Sequence, residues 1–292
     1  MPNLSNVNRL HAQFQHVSPL FKDTVTKGRV FGNIWEMEMD ETISHLWKSD
    51  EKLASAVRGY EQFALEIMRL QIDFDRSGVY APQTYDEANA TVYQADGYMS
   101  DTYLPGLLLA WYLWPHHYRQ TRFFKAFVRD MARSGATKFY EVATGTGLYS
   151  RFALQGAQSA VGVGFDISPA SCTFTENHLG AFRLGSRYEM RMSNVLEDEP
   201  EPVDWLLCIE LLEHLPDPMV LLRSLRRMLR PGGKAFLATA LNAPNSDHIW
   251  LYRSVDEVVT QLHEAGFRVE SAELNAAYPG LMPPVVAAFV VS

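Results

Sequence analysis

One segment of the chain combines an acid with a glycine-containing turn, a pairing suited to binding a nucleoside. Glu141 lies at the end of a short apolar run, and Gly145 and Gly147 follow it closely. Because glycine lacks a Cβ, such a turn can adopt conformations that other residues resist and can approach a ligand. A lone G-x-G also occurs in ordinary strand-to-helix loops. The acid before the turn and the pattern downstream favour a binding turn.

That downstream pattern is a series of apolar runs, each ending in a polar residue and usually followed by a helical pattern. The runs cover 137–142, 159–165, 186–193, 203–209 and 234–241, and their polar residues are Glu141, Asp166, Asn194, Glu210 and Asn242. Alternating strands and helices predict a parallel sheet with helices on both faces. In such sheets ligands bind at the carboxyl ends of the strands. We therefore expect these polar side chains to face one crevice.

Two nucleoside ligands fit this layout. A dinucleotide site calls for G-x-G-x-x-G, whereas the third glycine position here is Ser150. Asp166 suits the ribose of either ligand and does not discriminate between them. Glu141 does, because its carboxylate would repel a pyrophosphate and attract the ammonium of an amino acid. The residues thus favour S-adenosylmethionine (SAM), with a dehydrogenase as the remote alternative.

From about Ala136 to Ser292 the chain resembles the class I SAM-dependent methyltransferases. Their motif acid-x-Gly-x-Gly-x-Gly is matched by Glu-Val-Ala-Thr-Gly-Thr-Gly at 141–147, and their fourth-strand signature by Cys-Ile-Glu-Leu-Leu-Glu-His-Leu-Pro-Asp-Pro at 208–218. Ala143 departs from the motif by replacing its first glycine, and Asn194 gives an uncharged contact to adenine. The cofactor contacts that the resemblance implies are Glu141, Ala143, Gly145, Gly147, Asp166, Ile167, Asn194, Val195 and Glu210.

Methyl transfer from a sulfonium chiefly requires that the acceptor be held in line and shielded from water. A base is needed only if the acceptor must lose a proton. His214, with an ordinary pKa near 6.5, is the candidate base, and Glu213 is the second candidate catalytic residue. A metal held by Glu210, Glu213 and His214 is the alternative. We expect no metal, because the two glutamates should diverge where the following helix begins.

The chain before residue 135 has a helical pattern. Ser49 caps a predicted helix over Asp50–Phe74, and Thr84–Glu87 is a capping box opening a helix toward Ala95. Further helices are predicted over Met99–Trp114 and His116–Arg133. We therefore predict two domains, an all-helical cap over residues 1–134 and a SAM-binding domain over residues 135–292. The predicted fold is α/β, with a doubly wound, mostly parallel, seven-stranded sheet and an N-terminal helical cap.

The cap is the region least typical of the family, so we expect it to select the methyl acceptor. Its candidate acceptor-binding residues carry a polar group on an otherwise apolar segment, although most aromatic residues nearby should simply form core. The loop after the fifth predicted strand is long enough to line an acceptor pocket. The candidates from both regions are Tyr93, Tyr98, His116, His117, Gln120, Asn242, His248 and Tyr252.

Composition narrows the function classes. The formal charge of −8 argues against a nucleic-acid partner, and the arginines from Arg223 to Arg230 fit a solvated helix face better than an RNA contact. A 47% apolar fraction without a membrane-length apolar run indicates a soluble globular protein. Cys172 and Cys208 are expected to be reduced thiols in the cytoplasm.

These observations predict a SAM-dependent methyltransferase that releases S-adenosylhomocysteine (SAH). The acceptor is expected to be a small metabolite methylated on oxygen, nitrogen, sulfur or an acidic carbon. Two alternatives remain: a methyltransferase acting on tRNA or protein, and a catalytically silent SAM-binding regulator. A homodimer formed through the N-terminal helices is expected.

Overall fold

The computed structural model describes residues 5–81, 84–93, 97–198, 200–280 and 282–292. The helices are α1 (Ser5–Phe14), α2 (Thr24–Gly28), α3 (Asn33–Leu46), α4 (Asp50–Ser77), α5 (Tyr85–Ala88), α6 (Leu104–Leu113), α7 (Pro115–Arg133), α8 (Leu148–Gly156), α9 (Pro169–Ala181), α10 (Pro218–Arg227) and α11 (Val255–Glu264). The strands are β1 (Lys138–Val142), β2 (Val161–Asp166), β3 (Tyr188–Met192), β4 (Val203–Ile209), β5 (Leu229–Leu241), β6 (Val269–Ala276) and β7 (Val285–Val291).

The strands form one seven-stranded sheet in the order β3-β2-β1-β4-β5-β7-β6. Neighbours among β1 to β5 pair in parallel, whereas β7 lies antiparallel between β5 and β6. The strand order reverses between β1 and β4, and in sheets of this kind the ligand crevice lies at that point. The predicted doubly wound, mostly parallel sheet is confirmed. One bound differs, because the fifth predicted run, 234–241, begins earlier in the structure, at Leu229 of β5.

The N-terminal part contains three helices, α1 to α3, that lie within the predicted helical cap but were not predicted individually. The apolar residues of α1, Val7, Leu10 and Phe14, are fully buried. The predicted α4 is confirmed, and the Ser49 hydroxyl accepts a hydrogen bond from its first turn. The helix extends to Ser77, where the left-handed Gly78 ends it.

The segment between α4 and α6 differs from its prediction. The capping box at Thr84–Glu87 forms, but α5 ends at Ala88, and a π-helical turn follows over Asn89–Tyr93. The predicted continuation to Ala95 lies outside the described residues. The predicted helix from Met99 is a second π-helical turn, Met99–Tyr103, that leads into α6. Single π-helical turns occur frequently at functional sites.

Helix α7 joins the N-terminal helices to the sheet. Phe124 contacts Phe236 of β5, and Phe127 contacts Trp205 of β4, each with ring centroids 5.1 Å apart. The chain then turns at Gly135, which has a φ of +73°. A domain boundary at residue 134 stays a prediction, since α7 precedes it yet packs on the sheet. None of the helices in the described ranges is both long and apolar enough to cross a membrane.

A buried cation also connects the two parts of the fold. Arg151 of α8 is 1% exposed. Its guanidinium donates to the hydroxyl of Thr42 in α3 at 3.0 Å and to the hydroxyl of Tyr112 in α6. The same group lies 4.3 Å from the ring centroid of Phe182. These contacts place the helix that follows the glycine turn directly against the N-terminal helices.

Candidate functional site

A cavity of about 870 Å³ lies at the carboxyl ends of the central strands and continues under the N-terminal helices. Four of the five polar residues predicted at the strand ends line it: Glu141, Asp166, Asn194 and Glu210. Asn242 does not line it, although it lies directly after β5. Its side-chain amide instead donates to the carbonyl of Arg253 at 3.2 Å. The expected crevice is therefore present, with one of its five members turned away.

The glycine turn between β1 and α8 has the backbone that its sequence predicted. Gly145 and Gly147 have φ angles of +49° and +69°. A Cβ at Gly147 would also come within 2.9 Å of the Thr175 side chain. Ala143 and Gly145 line the cavity, whereas Gly147 lies behind the turn, against α9. The glycines thus allow a tight turn whose backbone is close to the cavity.

Three non-glycine residues at strand ends also have left-handed backbones. Ala143, Glu210 and Asn242 directly follow β1, β4 and β5, and their φ angles are +59°, +53° and +51°. Such conformations are uncommon for residues with a Cβ and persist only where surrounding contacts enforce them. At Ala143 this explains why the family motif has glycine. The strained positions follow three neighbouring strands of the sheet, at the edge where the carboxyl ends of the parallel strands lie.

Glu141 is a buried carboxyl at the bottom of the turn, 2% exposed. It accepts a hydrogen bond from the Ser150 hydroxyl, which lies 2.8 Å from the hydroxyl of Tyr188. Burial raises its pKa to about 8, although the Ser150 hydrogen bond opposes the rise. Because no cation is paired with it among the described residues, this carboxyl is suited to a ligand ammonium that would replace its proton.

Asp166, the last residue of β2, is held in a fixed orientation. Its two oxygens accept backbone N–H groups from Ser168 at 2.9 Å and from Gly145 at 3.1 Å. Burial raises its pKa, and these hydrogen bonds counteract the rise. The Thr144 hydroxyl also donates to Oδ2, at 3.5 Å, and the lone pairs that remain on the carboxylate can accept from a ligand. The arrangement fits the pair of hydroxyls on a ribose.

The remaining predicted cofactor residues form the rim beyond Asp166. Ile167, Asn194 and Val195 line the cavity. The Asn194 amide donates to Glu197 at 2.8 Å, so its orientation is set by its own turn. Glu210 carries a buried oxygen, Oε1, that has no hydrogen-bond partner among the described residues. An unpaired buried oxygen in a cavity wall is suited to a ligand donor.

Next to this region, His214 forms a pair with an aspartate that was not predicted as a site residue. His214 Nδ1 lies 3.3 Å from Asp247 Oδ2, and the aspartate is fully buried. Burial disfavours the imidazolium, but the Asp247 carboxylate outweighs this effect and raises the pKa of His214 to about 9. The pKa of Asp247 is lowered, because His214 outweighs its burial. A histidine held by a buried carboxylate is the arrangement of an oriented general base.

Two tyrosines from the π-helical turns complete this group. Tyr93 and Tyr103 donate to the same oxygen of Asp247, at 3.1 Å and 3.0 Å. The Tyr93 hydroxyl is also 2.9 Å from His214 Nδ1. Both tyrosines line the cavity, whereas Asp247 lies behind it. The segment after α4 therefore contributes directly to the position of the histidine.

Glu213 and His248 lie on the other side of His214. The carboxylate of Glu213 accepts hydrogen bonds from the Thr239 hydroxyl at 2.6 Å and from the Ala240 N–H at 3.2 Å, and it does not line the cavity. His248 does line it, with its ring centroid 4.8 Å from that of His214. Glu213, His214 and His248 place potential metal-ligand atoms within 4.8 Å of one another. The expectation that no metal is bound therefore stays a prediction.

The predicted acceptor residues divide into two sets. Tyr93, His116, His117 and His248 line the cavity. Burial lowers the pKa of His116 to about 4 and that of His117 well below its ordinary value, so both are neutral. The structure does not bring the other four to the cavity, because their side chains bond elsewhere. Tyr98 donates to Glu66, Gln120 to Tyr149, Asn242 to Arg253 and Tyr252 to Gln261.

Sequence reasoning missed Asp247 and Tyr103. Asp247 directly precedes His248 in the long loop after β5, so its proximity to the site could have been inferred. Its pairing with His214 could not, because the two residues lie on different loops. Tyr103 was assigned to the predicted helix over Met99–Trp114, and the π-helical turn that directs its hydroxyl toward Asp247 has no clear sequence signal.

Comparisons with known proteins agree with this fold. Residues 140–235 match a family model described as a methyltransferase domain. Ubiquinone biosynthesis O-methyltransferase of Pseudomonas syringae pv. tomato is 30% identical over 121 residues, covering 41% of this chain and 51% of that protein. The enzyme of the same name from Aliivibrio fischeri is 35% identical over 106 residues, covering 35% and 43%. The chain thus spans about half the length of these curated relatives or less.

Solved structures extend the fold comparison into the N-terminal helices. Human N-acetylserotonin methyltransferase in complex with SAM aligns with a TM-score of 0.58 at 15% identity, covering 82% of this chain and 69% of that one. Mitomycin 7-O-methyltransferase aligns with a TM-score of 0.56 at 15% identity, covering 82% and 71%. At this identity the similarity shows the fold alone. Residues 140–235 thus match a methyltransferase domain, and the sheet order and the glycine turn agree with the fold of the solved methyltransferases.

Proposed function

We propose that the protein transfers a methyl group from SAM to an ionisable hydroxyl of a small molecule. The observation that carries this proposal is that the His214–Asp247 pair and the acid-bearing glycine turn border the same cavity. Among the acceptor atoms that the sequence left open, a hydroxyl has the most use for an oriented histidine, because it becomes a good nucleophile by losing its proton. The names of the curated relatives point in the same direction.

The residues at the strand ends fit SAM. Glu141 would bind the ammonium of the methionine moiety, and Asp166 would accept from the ribose hydroxyls. The rim at Asn194 would contact the adenine, while the glycine turn allows close approach of the backbone. SAM, when bound, supplies a methyl group activated by the sulfonium charge. The protein must then bind, orient and deprotonate the acceptor.

His214 is proposed as the group that takes the acceptor proton. Its Nδ1 faces Asp247, so Nε2 is the nitrogen that remains for an acceptor hydroxyl. Because its pKa is about 9, His214 is mostly protonated at neutral pH. The free base therefore accumulates only as pH approaches that value. Asp247 does not line the cavity and acts as a positioning residue.

Transfer of a labelled methyl group from SAM to a panel of hydroxyl-bearing small molecules tests the proposal. The wild-type protein should methylate at least one member, and His214→Gln should lose activity by about 10²-fold or more. SAH affinity should be unchanged in the variant, since His214 is not placed in the cofactor site. Product formed only from RNA or protein would instead support a methyltransferase acting on those molecules. SAH binding without any product would support a catalytically silent SAM-binding regulator.

We further propose that the protein is a cytoplasmic homodimer without a nucleic-acid partner. Leu20, Val30, Ile34 and Met37, which are near one another in sequence at the N-terminal helices, are 49–80% exposed. Apolar exposure of this kind is typical of a protein interface. Light scattering at micromolar concentration should give twice the monomer mass, and Val30→Asp with Ile34→Asp should reduce it to the monomer mass. A monomer mass for the wild-type protein would contradict the proposed dimer.

A further inference from the structure

We propose that the methyl acceptor carries a neutral, extended apolar body that lies along helices α4 and α6. This inference rests on the proposed function and adds the class of acceptor. The helical compartment is the part of the cavity lined by Tyr60, Phe63, Ile67, Leu104, Leu107 and Trp111. It adjoins, within the same cavity, the strand ends where the cofactor residues lie.

The compartment has considerable length. Tyr60, Phe63, Ile67 and Gln71 line it at helical spacing along α4. From Tyr60 to Gln71 an α-helix rises by about 16 Å, at about 1.5 Å per residue. Leu65, on the same helix, does not line the cavity and is 40% exposed. One continuous face of α4 therefore forms the wall, and that wall is longer than a single aromatic ring requires.

The compartment begins at the proposed base. Tyr103, which donates to Asp247, contacts Phe63 with ring centroids 5.4 Å apart. Phe63 stacks on Trp114 at 5.9 Å, and Trp114 contacts Tyr60 at 6.5 Å. All four rings line the cavity. An acceptor whose hydroxyl reaches His214 would thus place the rest of its structure against these rings.

Nothing in this wall compensates a buried charge. The Tyr60 hydroxyl already accepts from Trp114 Nε1 at 2.9 Å, and the Gln71 amide donates to Asp75 at 2.8 Å. The described side chains that the N-terminal helices contribute to the cavity include one lysine, the exposed Lys27, and no arginine, aspartate or glutamate. A carboxylate, phosphate or ammonium in the compartment would lose its water without gaining a partner of opposite charge from α4 or α6.

These features select one class of acceptor. Burial of apolar surface against α4 and α6 is the main source of affinity that the compartment offers. Sugars, nucleotides and free amino acids would leave polar groups unpaired there. The structure therefore points to a phenol or enol attached to an extended apolar group.

A series of 4-alkylphenols from 4-methylphenol to 4-hexylphenol tests this inference by calorimetry with SAH present, so that no turnover is needed. Affinity should rise about fourfold per methylene until the compartment is filled. A phenol of matched length ending in a carboxylate should bind about 100-fold more weakly than its alkyl counterpart. Equal affinity across the alkyl series, or tight binding of the carboxylate, would overturn the proposal.

Two substitutions on α4 form a matched pair. Ile67→Asp places a carboxylate in the compartment and should abolish the gain with chain length, whereas Leu65→Asp should leave it intact. Ile67→Trp fills part of the space without a charge and should shift the best ligand to a shorter chain. This second variant keeps the test valid if Ile67→Asp misfolds. Equal behaviour of Ile67→Asp and Leu65→Asp would refute the compartment. Absence of SAH binding by the wild-type protein would instead refute the proposed function along with it.

Discussion

Replacing Asp247 with asparagine removes the charge that holds His214 while nearly preserving shape. At the 3.3 Å separation of Nδ1 and Oδ2, two unit charges attract by about 5 kcal/mol at an effective dielectric constant of 20. Burial cancels part of this attraction. A rise in the His214 pKa from 6.5 to about 9 corresponds to about 3 kcal/mol of preference for the imidazolium. Asp247→Asn should remove that preference entirely.

The assay is the pH dependence of kcat/KM for an acceptor found by labelled-methyl transfer. In the wild-type protein the rate should rise with pH to a midpoint near 9, because only neutral His214 can take a proton. In Asp247→Asn the midpoint should fall to 6.5 or below, because burial is then largely uncompensated. The plateau of kcat/KM at high pH should drop by about 10³-fold, because the asparagine amide does not hold the imidazole in the orientation that the carboxylate gives it.

Stability should respond with a defined sign. Because folding raises the pKa of His214, the ion pair stabilises the protein fully below pH 6.5, and this contribution disappears as pH rises through about 9. Urea unfolding should therefore show a larger destabilisation of Asp247→Asn at pH 6 than at pH 10. Asp204→Asn, which alters an exposed ion pair with Arg230, is the control. Identical pH midpoints in wild type and Asp247→Asn would refute the reasoning.

Three other outcomes follow from proton binding, backbone strain and the cluster around His214. Burial raises the pKa of Glu141 to about 8, so a ligand ammonium that binds there at pH 7 should displace a proton. This proton release should make the calorimetric binding enthalpy depend on the buffer, and Glu141→Gln should remove the dependence. Ala143→Gly should stabilise the protein to urea by about 1 kcal/mol by relieving the left-handed backbone; destabilisation would contradict the strain. Dialysis against EDTA should leave kcat unchanged if His214 acts as the base, whereas a loss restored by Mg²⁺ or Zn²⁺ would show that Glu213 and its neighbours hold a metal.

The sheet could be predicted from the sequence because each strand leaves a local signal. β4 has the predicted bounds, Val203–Ile209, and the other predicted strands differ mainly at their ends. The seventh strand lies antiparallel between β5 and β6, an arrangement that no local pattern showed. Helix α1 was missed even though Val7, Leu10 and Phe14 have helical spacing, because the polar residues between them obscured the stripe.

The cofactor side of the site could be predicted for the same reason, since its residues follow buried strands in a repeating order. The acceptor side could not. Its geometry depends on contacts between residues far apart in sequence, such as the bond from Tyr103 to Asp247. Polarity alone also misled, because the Gln120 amide and the Tyr252 hydroxyl donate to partners inside the fold, and neither residue lines the cavity.

Calorimetric titration of SAH tests the central claim most directly, because every proposed step depends on a cofactor held by Glu141 and Asp166. The wild-type protein should bind SAH with a micromolar Kd. Asp166→Asn should bind about 10- to 100-fold more weakly through loss of charge-assisted hydrogen bonds to the ribose, and Asp204→Asn should match the wild type. Undetectable SAH binding by the wild-type protein, or equal affinity in Asp166→Asn, would contradict the account.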